Sequence, residues 1–390
     1  MNCILFDAIR PREYLKPITL TRPVSGIRCG ILTISEKWEK YLQSKVSFLT
    51  EDYLAGKFPA VYTDDNLYIN ASFLPNEALV YSIQGLTIDQ GLFLEEELIA
   101  VRTSQKLVFG FDTIKNLSRI NYTSAVSVIS ELPHIFLNNG SQIESDFDLI
   151  TSGENTSEVS DKFTAVYNPE KVFIGKNVSI RSAIINAEAG PVYIDDDAVI
   201  QEGAIIIGPV AIGKNAMVAF GAKIRSNTTL GPYCRVGGEV GNSVFHAFSN
   251  KAHDGFLGNS YVGEWCNLGA NANNSNLKNN YKSVSLYSYA TKGLYDTGEV
   301  FCGTFIGDYT KVGISTMFNT GTVVGVSSNI YGAGFQDKFV DSFKWGGKME
   351  GYENYLFNKA IEVINATMAR RDLQLEEEEI EILKYISENS

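Results

Sequence analysis

Between residues 194 and 335 apolar positions recur every six residues. The run Ile194, Ile200, Ile206, Ile212, Val218, Ile224, Leu230 and Val236 holds this register without an error. Val262 and Leu268 restart it, and Val300, Ile306, Val312, Phe318, Val324 and Ile330 carry it on. Four residues after each aliphatic position stands a small or β-branched one, such as Ala198, Ala204, Val210, Ala216 and Ala222, then Thr304, Thr310, Thr316 and Thr322. Glycine often follows the aliphatic residue directly, as at Gly213, Gly231, Gly307 and Gly325. A helix would repeat at 3.6 and an exposed-face strand at 2, and a β-sandwich has no reason to hold a register of six. A six-residue unit makes one short strand and one corner, and three units close a triangular coil whose aliphatic residues stack inside a prism. The glycines are expected to relax the backbone at the turns. Ile174, Gly175 and Ile180 fit a first coil out of phase by two residues, which starts the β-helix near residue 168.

Two stretches interrupt the register, and chain that leaves a rigid scaffold is where binding groups tend to sit. Gly237 to Tyr261 holds two of the three histidines, His246 and His253; Gly269 to Glu299 is rich in Asn and Tyr and is expected to form an arm over the helix or onto an adjacent subunit. Upstream, the chain alternates strand and helix patterns: a strand at Cys3 to Phe6, a helix from Glu36 to Leu42, and strands near Val61-Tyr62 and Leu67 to Ile69. That is the signature of an α/β unit. Gly153 to Asp161 reads as a linker. After the repeat, Tyr352 to Met368 and Leu375 to Ile386 show helical spacing, with the run Glu376 to Glu379 as a solvated face and the helices as a cap on the solenoid end. The expected division is 1–165 (α/β), 166–335 (β-helix) and 336–390 (helical tail).

Composition narrows the function. The 390 residues carry a net charge of -12, which disfavours general binding to nucleic acid or anionic membrane. No apolar run is long enough to span a bilayer, and the start lacks a secretory pattern, so a cytoplasmic protein is expected. Five cysteines without a C-x-x-C pair argue against a disulfide framework or a structural zinc site. Positive charge gathers at the start: residues 1–45 hold eight Lys or Arg against four Asp or Glu, and residues 46–165 hold six against seventeen. Arg10, Arg12, Arg22, Arg28 and Lys37 are therefore candidates for nucleotide phosphates, the other reading being that they pair with the acidic remainder of the unit.

The hexad pattern resembles the hexapeptide-repeat acyltransferases, whose coils are left-handed. The stretch Asn250-Lys251-Ala252-His253-Asp254-Gly255-Phe256-Leu257-Gly258-Asn259-Ser260, with Val262-Gly263-Glu264 and Asn267-Leu268-Gly269-Ala270, resembles the acetyltransferase half of the bifunctional glucosamine-1-phosphate acetyltransferase/N-acetylglucosamine-1-phosphate uridylyltransferases. Phe256 stands where that family has a tyrosine, and the segment Ala222-Lys223-Ile224-Arg225 resembles the one whose arginine meets the sugar phosphate. The resemblance implies His253 as the general base, Arg225 and Lys251 on the phosphate, Phe256 and Asn267 at the sugar, acetyl-CoA as cosubstrate and a homotrimer. An imidazole suits the role, because attack on a thioester needs a neutral amine and a base for its proton. His246 and His134 read as structural or solvated.

The opening stretch from Leu15 to Val24, with Ile27 to Thr33 and Glu36-Lys37-Trp38, resembles a divergent nucleotidyltransferase domain in an alternate, Bacteroidetes-type form of the same bifunctional enzymes. Asp7-Ala8-Ile9-Arg10-Pro11-Arg12 replaces the glycine-rich phosphate loop, and Asn70 stands near the place expected for a magnesium-binding aspartate, for which Asp64, Asp65, Asp146 and Asp148 are substitutes. Together the two resemblances imply UDP-N-acetylglucosamine synthesis from a sugar phosphate, a nucleoside triphosphate and acetyl-CoA, with Mg2+ for the nucleotidyl step. The alternatives are nucleotidyl transfer alone, from UTP or dTTP to a hexose 1-phosphate with the β-helix as scaffold, and a non-catalytic sugar-nucleotide-binding protein.

Overall fold

The computed structural model describes residues 2–111, 114 and 117–390. Its N-terminal unit is built on a mixed sheet of β1 (Asn2–Phe6), β2 (Val46–Leu49), β3 (Asn66–Asn70), β4 (Gln90–Leu94), β5 (Glu97–Thr103) and β6 (Ser118–Asn121), in the order β2-β1-β3-β5-β4-β6. β1 runs parallel to both neighbours, and β5 runs antiparallel to β3 and β4. Cys3, Ile4, Leu5 and Phe6 are all buried, so β1 is a continuous apolar run because both of its faces are covered. Around the sheet lie α1 (Ile9–Tyr14), α2 (Ile34–Leu42), α3 (Glu77–Gln84) and α4 (Leu132–Thr151). α2 starts two residues before the expected helix, where Thr33 and Glu36 form a reciprocal capping box. The expected strand at Val61-Tyr62 is a loop: Val61 N–H donates to Ser47 Oγ and its carbonyl accepts from Asn2 Nδ2, so side chains serve backbone groups that a ladder would otherwise satisfy.

From Ala165 onward the chain winds into a parallel β-helix of about 10 turns, with three faces of six, nine and ten strands, parallel except for the last strand of the third, Gly351–Asn354, which pairs antiparallel. Ile194 pairs with Ile212 and Ile212 with Leu230, eighteen positions apart, as three hexads per coil require. All eight aliphatic residues of the first run are 0% exposed. Ile174 and Ile180 pair with Ile194 and Ile200, twenty positions on, which is the two-residue phase offset legible in the sequence. The glycines act otherwise than expected. A Cβ on Gly213 would lie 2.8 Å from Pro232 N and one on Gly307 2.8 Å from Gly325 C, so glycine is required because adjacent coils approach closely. Positive φ at the corners falls to other positions, among them Asn215, Asn227, Asn242 and Asn259, a residue type that tolerates it, and Gly203, Gly221 and Gly238.

The first interruption does not leave the scaffold. Leu230 pairs with Phe245 and Val236 with Lys251, fifteen positions on instead of eighteen, and Phe245 pairs with Val262, seventeen on, so the hexad register is lost because one coil is three residues short and the next is one short. The second interruption does leave. After a short strand at Asn273–Asn274 it forms an antiparallel hairpin, Ser285–Ser288 with Gly293–Asp296. This arm lies over the helix: Val284 and Leu286 are buried in one apolar cluster with Phe73 and Phe136 of the N-terminal unit, and Tyr287 stacks on Phe339 at 3.7 Å. Val300, counted in the register from its spacing, lies on the returning limb of the arm and is 37% exposed.

The tail carries α5 (Phe357–Ala369) and α6 (Glu377–Glu388) and does more than close the solenoid. α6 packs Ile382, Leu383 and Ile386 around Leu54 of the N-terminal unit, and Tyr385 stacks on Tyr53 at 4.1 Å. Glu379, expected on a solvated face, is ion-paired with Lys57. Among the described residues no helix is long and apolar enough to cross a membrane.

Candidate active sites

In open sheets with parallel strands, ligands bind at the carboxyl ends where the strand order reverses direction. Here the reversal is at β1, which has β2 on one side and β3 on the other. A cavity of about 470 Å³ opens there, lined by Asp7, Arg10, Asn70, Glu97 and Phe111 among others. Arg10 is open to it, its side chain 65% exposed, 3.3 Å from Glu131 and 4.9 Å over the Tyr14 ring. Asn70 is oriented by the Ser72 N–H, which donates to its Oδ1, and by its own amide donating to Leu98 O at 3.2 Å. Burial pushes the Glu97 carboxyl up, against the pull of Arg10 and the Asn70 amide.

The other four N-terminal cations are not brought to this cleft as free charges. Arg12 is buried against Asp7 at 2.8 Å and Glu51 at 3.1 Å, and Lys37 is buried against Asp146. Arg28 donates to His246 O at 3.0 Å and Arg22 pairs with Asp308 and Glu264, so these two fasten the N-terminal unit to the β-helix. A buried guanidinium or ammonium without a partner is strongly destabilising, which is why each is neutralised internally. The pairing alternative read from the sequence describes Arg12, Lys37 and Arg28, which is 3.8 Å from Glu36, whereas Arg22 finds its carboxylates on the β-helix, and Arg10 remains accessible. Of the substitute acidic residues, Asp65 is held by Arg102 through two 2.8 Å bonds, Asp146 by Lys37, and Asp64 and Asp148 are exposed away from the cleft lining. Among the described residues no cluster of three His, Cys, Asp or Glu is placed to hold a metal ion.

On the β-helix a groove of about 570 Å³ is lined by Arg225, Asn242, Phe256, Asn259, Asn276 and Phe301. Arg225 and Phe256 thus meet, with Arg225 in an exposed ion pair to Glu239 at 3.1 Å. Asn276 and Phe301 come from the arm, and only the Asn-rich composition of that stretch pointed toward them. His253 lies on the exposed corner three residues before Phe256, and its ring makes no hydrogen bond among the described residues. Asn267 is exposed on a different face, beside Asn250 and Lys311. Lys251, expected on the sugar phosphate, is not in the groove. The short coil puts it at an inward position, 1% exposed, where its ammonium cannot meet a phosphate in the groove. His246 is structural, buried with Nδ1 2.9 Å from Tyr261 Oη; burial, then Arg22 and Arg28, drive its pKa well down and keep the ring neutral. His134 sits beside Ser130 at the start of α4.

Both sites lie on a recognisable pair of units. Residues 3–155 match the family model for sugar nucleotidyl transferases, so the N-terminal unit is a nucleotidyltransferase-like domain, followed here by a β-helix and C-terminal helices. Over 82% of its length the chain is similar to named bifunctional transferases. It is 25% identical to the bifunctional sugar-1-phosphate nucleotidylyltransferase/acetyltransferase of Sulfurisphaera tokodaii over 82% of this chain and 93% of that one. It is 21% identical to the bifunctional protein GlmU of Wigglesworthia glossinidia brevipalpis over 82% of this chain, and it spans 60% of that protein's length. Among solved structures, an Arabidopsis UDP-N-acetylglucosamine acyltransferase aligns over 54% of this chain and 78% of that one at 13% identity and a TM-score of 0.26.

Proposed function

We propose that the chain is a two-site transferase that makes UDP-N-acetylglucosamine. The β-helix moves the acetyl group of acetyl-CoA to the amine of glucosamine 1-phosphate, and the N-terminal cleft joins a uridylyl group to the N-acetylated product. The observation that carries this is the union in one chain of a nucleotidyltransferase-like sheet, with a cleft at its strand-order reversal, and a β-helix with a groove that holds an exposed arginine and Phe256, three residues after the exposed His253, which is not itself among the groove's lining residues.

In the acetyl step the amine nitrogen attacks the thioester carbonyl, the carbon–sulfur bond breaks, and coenzyme A leaves as the thiol. His253 takes the proton that the nitrogen sheds. Arg225 offers a bidentate donor for the sugar phosphate by opening its exposed pair with Glu239, an ion pair of a kind worth little in water. Phe256 gives the sugar ring an apolar wall. Asn267, on another face, requires the ligand or a second copy of the chain to reach around the corner, in keeping with a homotrimer. In the uridylyl step the sugar phosphate oxygen attacks the α-phosphorus and pyrophosphate departs, with Arg10 on the phosphates. Glu97 would supply one carboxylate to Mg2+, the Asn70 oxygen being engaged by the Ser72 N–H; such an ion is commonly held by few protein ligands together with the triphosphate, and it would neutralise charge on the leaving group. Such an enzyme would work in the cytoplasm, where its substrates are.

One observation favours a second reading, nucleotidyl transfer alone. Among the described residues the His253 ring has no orienting hydrogen-bond partner, whereas catalytic bases are usually held by a second group. The deciding experiment supplies acetyl-CoA and glucosamine 1-phosphate to purified protein and follows free thiol. Release that disappears in His253→Ala supports acetyl transfer, and no release from the wild type leaves nucleotidyl transfer alone.

A further inference from the structure

Lys251 breaks the rule of the column it stands in. Along this inward line of the β-helix the chain places Ile180, Ile200, Val218, Val236, then Lys251, then Leu268, Val312 and Ile330. An aliphatic residue packs this position better in every neighbouring coil, and a buried ammonium carries a desolvation cost that methylene packing does not. The side chain is not idle there. Its Nζ donates to the carbonyl of His253 at 2.8 Å and to that of Gly237, one coil below, at 3.3 Å. Among the described residues no other hydrogen bond reaches either carbonyl.

The corner Ala252 to Gly255 is fixed from outside as well. Asn271 N–H donates to Asp254 O at 2.9 Å and Glu239 N–H to Gly255 O at 3.2 Å. Gly255 adopts φ 125°, and a Cβ there would meet Ala272 O and come within 3.3 Å of Lys251 Nζ. Among the described residues the peptide of His253 itself is gripped only from within the prism, by the lysine. A ring with no hydrogen-bond partner of its own takes its direction from the backbone that carries it.

We infer that Lys251 is a positioning residue: its ammonium, inside the β-helix, ties the carbonyls of two successive corners together and so sets where the His253 imidazole projects. This rests on the reading of His253 as the base of acetyl transfer. It also explains why a lysine occupies an aliphatic site, since a residue that breaks local packing rules is expected where function requires it. Burial lowers the Lys251 pKa to about 8, against the nearby Asp254 carboxylate, so the grip weakens as the ammonium becomes an amine in mildly alkaline solution.

The test is Lys251→Met, which restores an apolar side chain of similar length. The expected result is a kcat for thiol release lower by about tenfold or more, as small misplacements of a reacting group allow. KM for acetyl-CoA and for glucosamine 1-phosphate should stay within about twofold, because uniform binding is untouched, and the thermal midpoint should be unchanged or higher. The alkaline limb of the wild-type pH profile near 8 should vanish in the variant. An unchanged kcat overturns the inference, and so does a kcat loss accompanied by a lowered midpoint, which would make Lys251 ordinary core. If the wild type releases no thiol, the acetyl-transfer reading fails separately, and amide hydrogen exchange decides the positioning claim: faster exchange across Ala252 to Gly255 in the variant supports it, and unchanged exchange overturns it.

Discussion

Arg22 in the N-terminal unit is ion-paired with Asp308 on the β-helix, and both side chains are buried. The same carboxylate accepts from Thr21 Oγ1 at 2.5 Å and through Oδ1 from Glu264 N–H at 2.7 Å, so the contact is a knot of four residues. It lies beside the place where α6 crosses from the solenoid to the first unit, and it makes the relation between the two candidate sites a fixed one.

Breaking that knot on one side leaves an uncompensated buried charge. Asp308→Ala is expected to lower stability by about 3–5 kcal/mol. A double replacement, Arg22→Met with Asp308→Leu, should recover most of the loss, since well-packed apolar residues often replace such pairs at little cost. Urea unfolding of the three variants checks both outcomes.

Arg10 and Arg12 separate function from structure within three residues. Arg10→Ala should reduce pyrophosphate release from UTP by about tenfold or more while leaving the unfolding midpoint in place, because its side chain is mostly in solvent. Arg12→Ala should unfold or strongly destabilise the N-terminal unit, because Asp7 and the Thr19 carbonyl would lose a buried partner. Steady-state assays alongside thermal melts distinguish the two.

The β-helix should gain stability between about pH 8 and pH 10 from Lys251. The folded pKa lies below the ordinary lysine value of 10.5, so in that window the unfolded chain holds a proton that the folded chain has released. Unfolding free energy therefore rises with pH, by up to about 3 kcal/mol on the scale of 1.4 kcal/mol per unit. The measurement is the difference between wild type and Lys251→Met across that range, which cancels the contributions of other groups.

The tail should report on the N-terminal unit. Leu383 is 1% exposed and packs with Leu54, so Leu383→Ala is expected to cost about 2–5 kcal/mol. If the tail only capped the solenoid, that variant would leave proteolysis near Tyr53 unchanged; the packing predicts faster cleavage there.

Legibility in the sequence followed the range of the physics. The hexad of Ile194 to Val236 was readable because each coil repeats one local solution, and the phase offset at Ile174 was readable for the same reason. The short coil at Lys251 was not, since losing three residues looks the same in sequence as an excursion; only the pairing of Val236 with Lys251 shows that the lysine turns inward. Arg22 and Arg28 were misplaced because charge counts show where cations are dense and not which carbonyls and carboxylates, more than two hundred residues away, will neutralise them. Arg225 and Phe256 did converge on one groove, but their neighbours Asn276 and Phe301 arrive on an arm whose course depends on Val284 and Leu286 finding the other unit's core.

The most direct measurement of the central claim gives the purified chain acetyl-CoA, glucosamine 1-phosphate, UTP and magnesium, and follows thiol and pyrophosphate together while the nucleotide-sugar product is weighed by mass spectrometry. Two sites acting in sequence predict equal amounts of both at completion and the mass of UDP-N-acetylglucosamine. Pyrophosphate released with the thioester intact, or neither product, would contradict it.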